Sequence, residues 1–194
     1  MYKEKSFNKV IKQICLENNL KPNKKLILFF GGGEFGLGEK RTVEILKALC
    51  KHLDNYQIIA VSGKNKKMNM EFFNLKNSIQ NNDLHVFEYI NKVPELMHIS
   101  SVIFTKPGGL TTTESLASGL PIIVINPIPG QEEENARFLL NNGAAVRLFD
   151  ADKTTPFLNR LLNDQKRIEC MKEMQRYIAK PNSTKDIVEI ILQK

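Results

Sequence analysis

Short apolar runs alternate with stretches of helical period along nearly the whole chain. Residues 26–30 (LILFF) form a continuous apolar run, a glycine-rich loop occupies 31–38, and Val43, Leu46, Leu49 and Leu53 recur at three-to-four spacing, predicting a helix over about 39–53. Strand-like runs follow at 57–61 (QIIAV), 84–89 (LHVFEY), 101–105 (SVIFT), 121–125 (PIIVI) and 144–149 (AAVRLF). Helices are predicted between them at about 68–79, 93–99, 111–118 and 131–142, with Gly143 supplying the left-handed residue that closes the last one. Strands that are apolar on both faces and separated by single helices indicate a parallel sheet covered on both sides. The expected fold class is therefore α/β: a Rossmann-like, doubly wound parallel sheet of about six strands with helices on both faces. Residues 6–19 read as a lead-in helix, so 1–25 precede one domain spanning 26–194, and 183–193 read as a terminal amphipathic helix.

Length and composition narrow the function classes. A chain of 194 residues suits one large domain, with 42% hydrophobic and 25% charged residues, which excludes wholesale disorder. No run approaches the roughly 18 apolar residues of a spanning helix, and the start, MYKEKSFNKV, lacks a signal-peptide core. Cys15, Cys50 and Cys170 are odd in number and far apart, which suits a reducing cytoplasm rather than a disulfide framework or a metal knuckle. His52, His85 and His98 have no ligand spacing, so no metal is expected. The net charge of +7 favours anionic partners, including a membrane surface, but the lysines are dispersed and no nucleic-acid motif is present.

In a doubly wound sheet, ligands bind outside the carboxyl ends of the strands, so the strand-end loops carry the candidate chemistry. The first, Gly31-Gly32-Gly33-Glu34-Phe35-Gly36-Leu37-Gly38, contains the dinucleotide pattern G-x-G-x-x-G. The acid that such a site needs at the end of the second strand is replaced by Ser62-Gly63-Lys64, which argues against NAD, and no Walker lysine follows. The fourth strand ends in Lys106-Pro107-Gly108-Gly109-Leu110-Thr111, where two glycines and a helix N-terminus make a phosphate cradle and Lys106 can add a point charge. Glu114 has a competing explanation, because Thr111-x-x-Glu114 matches a capping box. After the fifth strand, Pro127, Pro129 and Gly130 fix a turn that delivers Gln131 and Glu132 at a helix start. Those acids can simply face the helix dipole, but an amide beside a carboxylate is also the pairing that sugar hydroxyls need. Along the sheet, the loops suggest a nucleoside, a diphosphate and a hexose.

Taken together, TKPGGLTTTESLASGLPIIVINPIPGQEEENA (105–136), Gly63-Lys64-Asn65 and Phe87-x-Tyr89 resemble the donor-binding half of a GT-B glycosyltransferase. The group they look like is that of the processive diacylglycerol glucosyltransferases and monogalactosyldiacylglycerol synthases, related to the GlcNAc-transferase that forms lipid II. The resemblance implies inverting transfer of a hexose from a UDP-sugar to a lipid hydroxyl, without a cofactor or metal, by a cytoplasmic enzyme peripheral to the membrane. It implies that Tyr89 and backbone groups of Ile90 receive the uracil, and that Glu114 accepts from the ribose. Gly108, Gly109, Leu110 and Thr111 would hold the diphosphate, and Gln131 and Glu132 of the Gly130-Gln131-Glu132-x-x-Asn135 motif the sugar. Ser62, Gly63, Gly32 and Gly33 would line the remaining phosphate and acceptor side. The acceptor-binding half and the catalytic base it would carry are expected to be absent from this chain. The alternatives are a non-catalytic donor-binding subunit of a split GlcNAc-transferase and an NAD-binding oxidoreductase domain.

Overall fold

The computed structural model describes residues 2–31, 39–52, 55–79, 82–149 and 154–192. In chain order the elements are α1 (Tyr2–Glu17), β1 (Lys25–Phe30), α2 (Glu39–His52), β2 (Tyr56–Val61), α3 (Lys66–Ile79) and β3 (Leu84–Phe87). They continue with α4 (Val93–Ile99), β4 (Ser100–Thr105), α5 (Gly109–Ser118), β5 (Ile122–Val124), α6 (Gln131–Asn141) and β6 (Ala145–Arg147). Three helices follow, α7 (Thr154–Asn163), α8 (Gln165–Ile178) and α9 (Ser183–Leu192).

All five strand pairings are parallel, and the sheet order is β3-β2-β1-β4-β5-β6. The chain winds outward from β1 to β3 and then crosses back to β4, so the order reverses between β1 and β4. That reversal opens the crevice in which doubly wound sheets bind their ligands. The expected α/β architecture is thus realised, with six strands.

Each sheet face carries its own core. One joins Ile27, Phe29 and Phe104 of the sheet to Leu46, Phe72, Leu158 and Met171 from α2, α3, α7 and α8. The other joins Leu28, Ile59 and Ile103 to Ile14, Leu96, Leu116 and Leu139 from α1, α4, α5 and α6. Strands buried on both faces explain why their sequences are continuously apolar. Phe29 stacks on Phe104 and meets Phe72 edge-on, both at 5.9 Å between ring centroids. Gly31, just past β1, is required by this packing, since a Cβ there would stand 2.7 Å from the Phe72 ring and 2.9 Å from the Thr42 methyl.

Several boundaries differ from the sequence expectation. α5 begins at Gly109 rather than 111 and α3 at Lys66 rather than 68. α1 covers Tyr2–Glu17 rather than 6–19. β3 ends at Phe87 because Gly63, with φ of 62°, turns the neighbouring chain aside after its amide bonds Glu88 at 2.9 Å. α9 forms as expected but buries none of its apolar residues: Ile187, Val188, Ile190, Ile191 and Leu192 all face outward.

Candidate functional site

The crevice is built from the loops after β2, β3, β4 and β5. The β4 loop contributes the cradle. Lys106 turns sharply, its carbonyl accepting from the Gly108 amide at 2.8 Å, and extended Gly108 (φ −65°, ψ 153°) caps α5 without any side-chain bond. The first helical bond runs from Thr112 N to Gly108 O at 2.9 Å. The amides of Gly109, Leu110 and Thr111 therefore lie in the turn that has no intrahelical acceptors, at the positive end of the helix dipole.

This geometry corrects the capping-box expectation. Gly108 takes the cap position because two glycines let the chain enter the helix two residues early. Thr111 thus sits inside the first turn, and its carbonyl accepts from Ser115 Oγ at 2.7 Å. Glu114 is exposed and, among the described residues, holds no hydrogen bond or ion pair. It lies four residues beyond Leu110, which is 82% exposed, on the same helix face. Its carboxylate is available to a ligand.

The β5 loop meets the cradle. Asn135 Nδ2 donates to the Pro107 carbonyl at 2.8 Å, and a Cβ built on Gly109 would stand 3.8 Å from Gln131 Nε2. Gln131 is exposed beside α5. Glu132 is partly occupied, since Oε2 accepts from the Ile128 amide at 2.8 Å and braces its own turn. Gly130 has φ of 103° and ψ of −130°, a conformation open to glycine. Lys106 is buried at 6% exposure; burial draws its ammonium below the usual lysine range, opposed by the carboxylates of Glu132 and Glu39. It supplies positive charge from beneath the crevice rather than from its surface.

The β3 loop stands beside α5, because α4 packs against α5 and both helices start at the carboxyl edge of the sheet. Tyr89 is 62% exposed there, and Ile90 anchors on the adjoining core. Ser62 behaves differently from expectation. Its side chain is fully enclosed, accepting from Asn69 Nδ2 at 3.1 Å and donating to the Phe87 carbonyl at 3.4 Å, so it supports the loop and leaves the surface to Gly63. Gly32 and Gly33, expected on the phosphate side, lie outside the described residues.

The structure adds supports that sequence reasoning missed. Glu39, in the first turn of α2, accepts from Asn65 Nδ2 at 3.0 Å and pairs with Lys67 at 2.8 Å, tying α2 to the β2 loop. Hydrogen bonds from Lys67 and Asn65 hold its carboxyl below the usual range. Asn126, with φ of 42°, donates to buried Thr42 Oγ1 at 3.0 Å and pins the β5 loop to α2. The only sequence signal was Asn65, within a motif already noted.

A crevice with an uncapped helix N-terminus, a free carboxylate and a facing amide suits an anionic, hydroxyl-rich ligand. Comparison with known proteins agrees. Residues 26–191 match the glycosyltransferase family 28 C-terminal domain. The chain belongs to that family. The family 28 domain is 36% identical over 174 residues to a processive diacylglycerol β-glucosyltransferase of Bacillus cereus (strain G9842), covering 88% of this chain and 43% of that protein. It is 34% identical over 180 residues to the Bacillus subtilis (strain 168) enzyme of the same name, covering 91% and 45%. The chain therefore spans less than half the length of these relatives. Among solved structures, Acinetobacter baumannii MurG superposes with a TM-score of 0.68 at 23% identity, over 90% of this chain and 54% of that one. A Neisseria meningitidis UDP-GlcNAc 2-epimerase bound to UDP-GlcNAc gives 0.72 at 19% identity, over 99% and 50%. At these identities the structures speak to the fold alone. Among the described residues of the family 28 domain, no helix is long and apolar enough to cross a membrane.

Proposed function

We propose that this domain is the donor-binding half of an inverting glycosyltransferase, which transfers a hexose from a UDP-sugar to the hydroxyl of a diacylglycerol-type lipid. The observation that carries the proposal is the uncapped N-terminus of α5 at the sheet's reversal point, with Glu114 exposed on one side and Gln131 on the other. The uracil rests against Tyr89 with its polar edge on backbone groups of Ile90, and the ribose hydroxyls donate to Glu114. The diphosphate meets the amides of Gly109, Leu110 and Thr111, while Gln131 and the remaining oxygen of Glu132 take the sugar. As the glycosidic bond to UDP breaks, negative charge grows on the departing phosphate. Preorganised amides and the helix dipole stabilise that charge where it develops, so this chemistry does not call for a metal ion.

The base that activates the acceptor hydroxyl belongs to another half of the enzyme, which also supplies the lipid site. Two features support that division: relatives more than twice as long, and α9, whose apolar residues have no covering surface within the described domain. The complete enzyme works at the cytoplasmic face of the membrane, where UDP-sugars and lipid acceptors meet. The domain alone binds donor and turns nothing over.

The test is a differential melting screen against UDP-glucose, UDP-galactose, UDP-GlcNAc and NADH. A ligand at 100 times its dissociation constant adds about 2.7 kcal/mol to stability, which raises the melting temperature measurably. One or more UDP-sugars should do so and NADH should not; stabilisation by NADH alone would overturn the proposal.

A further inference from the structure

The chain leaves β5 through a strained residue. Ile125, fully buried, still follows the sheet, its amide donating to the Thr105 carbonyl of β4 at 3.0 Å. Asn126 comes next with φ of 42°, and Pro127 follows it. Non-glycine residues rarely hold a left-handed backbone, and a residue before proline is ordinarily extended. Strain of this kind persists only where the surroundings over-determine it, and it gathers at functional sites.

At Asn126 the surroundings include the Thr42 side chain. Thr42 lies in the opening turns of α2 and is fully buried. Its methyl faces Gly31 past β1, where an added Cβ would stand 2.9 Å away, and its Oγ1 accepts from Asn126 Nδ2 at 3.0 Å past β5. Beyond this pivot the turn is braced internally. Pro127 and Pro129 lock two backbone angles. The Ile128 amide donates to Glu132 Oε2 at 2.8 Å, and the Glu133 amide to the Ile128 carbonyl at 3.2 Å. A braced turn transmits the direction set at its entry, so a rotation at Asn126 swings Gln131 and Glu132 together. The groups assigned to the nucleotide, among them Tyr89, Gly109, Leu110 and Glu114, follow β3 and β4 instead.

We propose that Asn126 is a positioning residue for the sugar end of the donor, aiming Gln131 and Glu132 at the hexose through its left-handed backbone and its bond to Thr42. The proposal rests on the UDP-sugar reading and adds that the sugar and the nucleotide are held by separately fixed parts of the crevice. Asparagine suits the position because it tolerates a left-handed backbone and carries the donor that Thr42 accepts. Glycine keeps the first property and loses the second.

The experiment compares wild type with Asn126→Gly, Thr42→Val and Thr42→Ser. The first two remove the bond from opposite ends, and the third keeps the hydroxyl. Melting temperatures establish that each variant folds; Thr42→Val alters a buried site, whereas Asn126→Gly leaves Thr42 in place. Calorimetry measures UDP against UDP-glucose, UDP-galactose and UDP-GlcNAc, and amide hydrogen exchange of the ligand-free domain follows Ile128 and Glu133. UDP affinity should stay within about twofold in all variants, while affinity for the preferred UDP-hexose falls about fivefold in Asn126→Gly and Thr42→Val and is retained in Thr42→Ser. The Ile128 and Glu133 amides should exchange about tenfold faster in the same two variants. Equal losses for UDP and the UDP-hexose, or no loss in folded variants, overturn the proposal. Unchanged exchange in both bond-deleted variants overturns the positioning role even where donor binds. A wild-type domain that binds no UDP overturns the donor reading itself, a result distinct from either.

Discussion

Asn135 and Pro107 join the two loops on which the candidate site depends, the side-chain amide of one donating to the carbonyl of the other at 2.8 Å. The bond links α6 to the cradle of α5 without using any group that would touch the ligand. Asn135→Ala should cost about 1 kcal/mol of stability, the net worth of such a hydrogen bond. It should also weaken UDP-glucose binding more than UDP binding, because Gln131 loses its register against Gly109. Denaturant unfolding and paired calorimetric titrations check both parts; equal losses for the two ligands would mean that the bond serves the nucleotide and sugar alike.

Glu114 caps nothing, so its removal should be nearly silent in the apo domain. Glu114→Gln and Glu114→Ala are expected to stay within about 0.5 kcal/mol of wild-type stability, as surface substitutions do. Both should bind UDP about tenfold more weakly, consistent with losing a charged hydrogen-bond partner. Wild type should prefer UDP over 2′-deoxy-UDP, and the variants should lose most of that preference. An unchanged preference would remove the ribose role.

Two glycines of the site differ in what they tolerate. Gly130→Ala should destabilise by about 1–3 kcal/mol, because alanine is strained at that backbone conformation. Gly109→Ala meets only Gln131 Nε2, at 3.8 Å, and lies in a helical turn, so the fold should accept it or gain slightly. Thermal melts of the two variants test this contrast, and similar losses would contradict it.

Acid should also weaken the edge of the sheet remote from the crevice, through Asp83. Burial pushes the Asp83 carboxyl upward, but hydrogen bonds and charge from Lys21 and Lys24, at 2.6 and 2.7 Å, outweigh it and hold the group below its ordinary value. A carboxylate lowered in the fold contributes stability that is present above its unfolded value, here 3.8, and lost as pH falls through the folded value. Asp83→Asn should therefore flatten the acid limb of the stability profile while leaving UDP affinity at neutral pH unchanged. A variant with the wild-type acid limb would show that the lysines do not act through this group.

Much of the architecture was readable because the strands are buried on both faces, so their apolar runs stand out whatever their neighbours. Strand order was not readable from periodicity, and with it the reversal between β1 and β4 that sets the crevice. Within the site, the Lys106–Thr111 cradle followed from glycine placement before a helix. The Thr111-x-x-Glu114 capping box did not form, since a motif match cannot show that Gly108 enters the helix first. Ser62 was expected on the ligand surface, but residue type alone does not reveal that Asn69, a full turn into α3, draws its hydroxyl inward. The Glu39–Asn65 and Thr42–Asn126 bonds join residues 26 and 84 positions apart, and no local pattern marks such pairs.

The central claim is that a UDP-sugar lies across the N-terminus of α5 at the reversal point. Amide chemical-shift mapping of the ¹⁵N-labelled domain during titration with UDP-glucose tests it most directly. The account predicts saturable shifts concentrated at Gly109, Leu110 and Thr111, with further shifts at Ile90 and Gln131. A folded domain in which those amides stay unmoved at millimolar UDP-glucose, or in which the shifts cluster elsewhere, would contradict it.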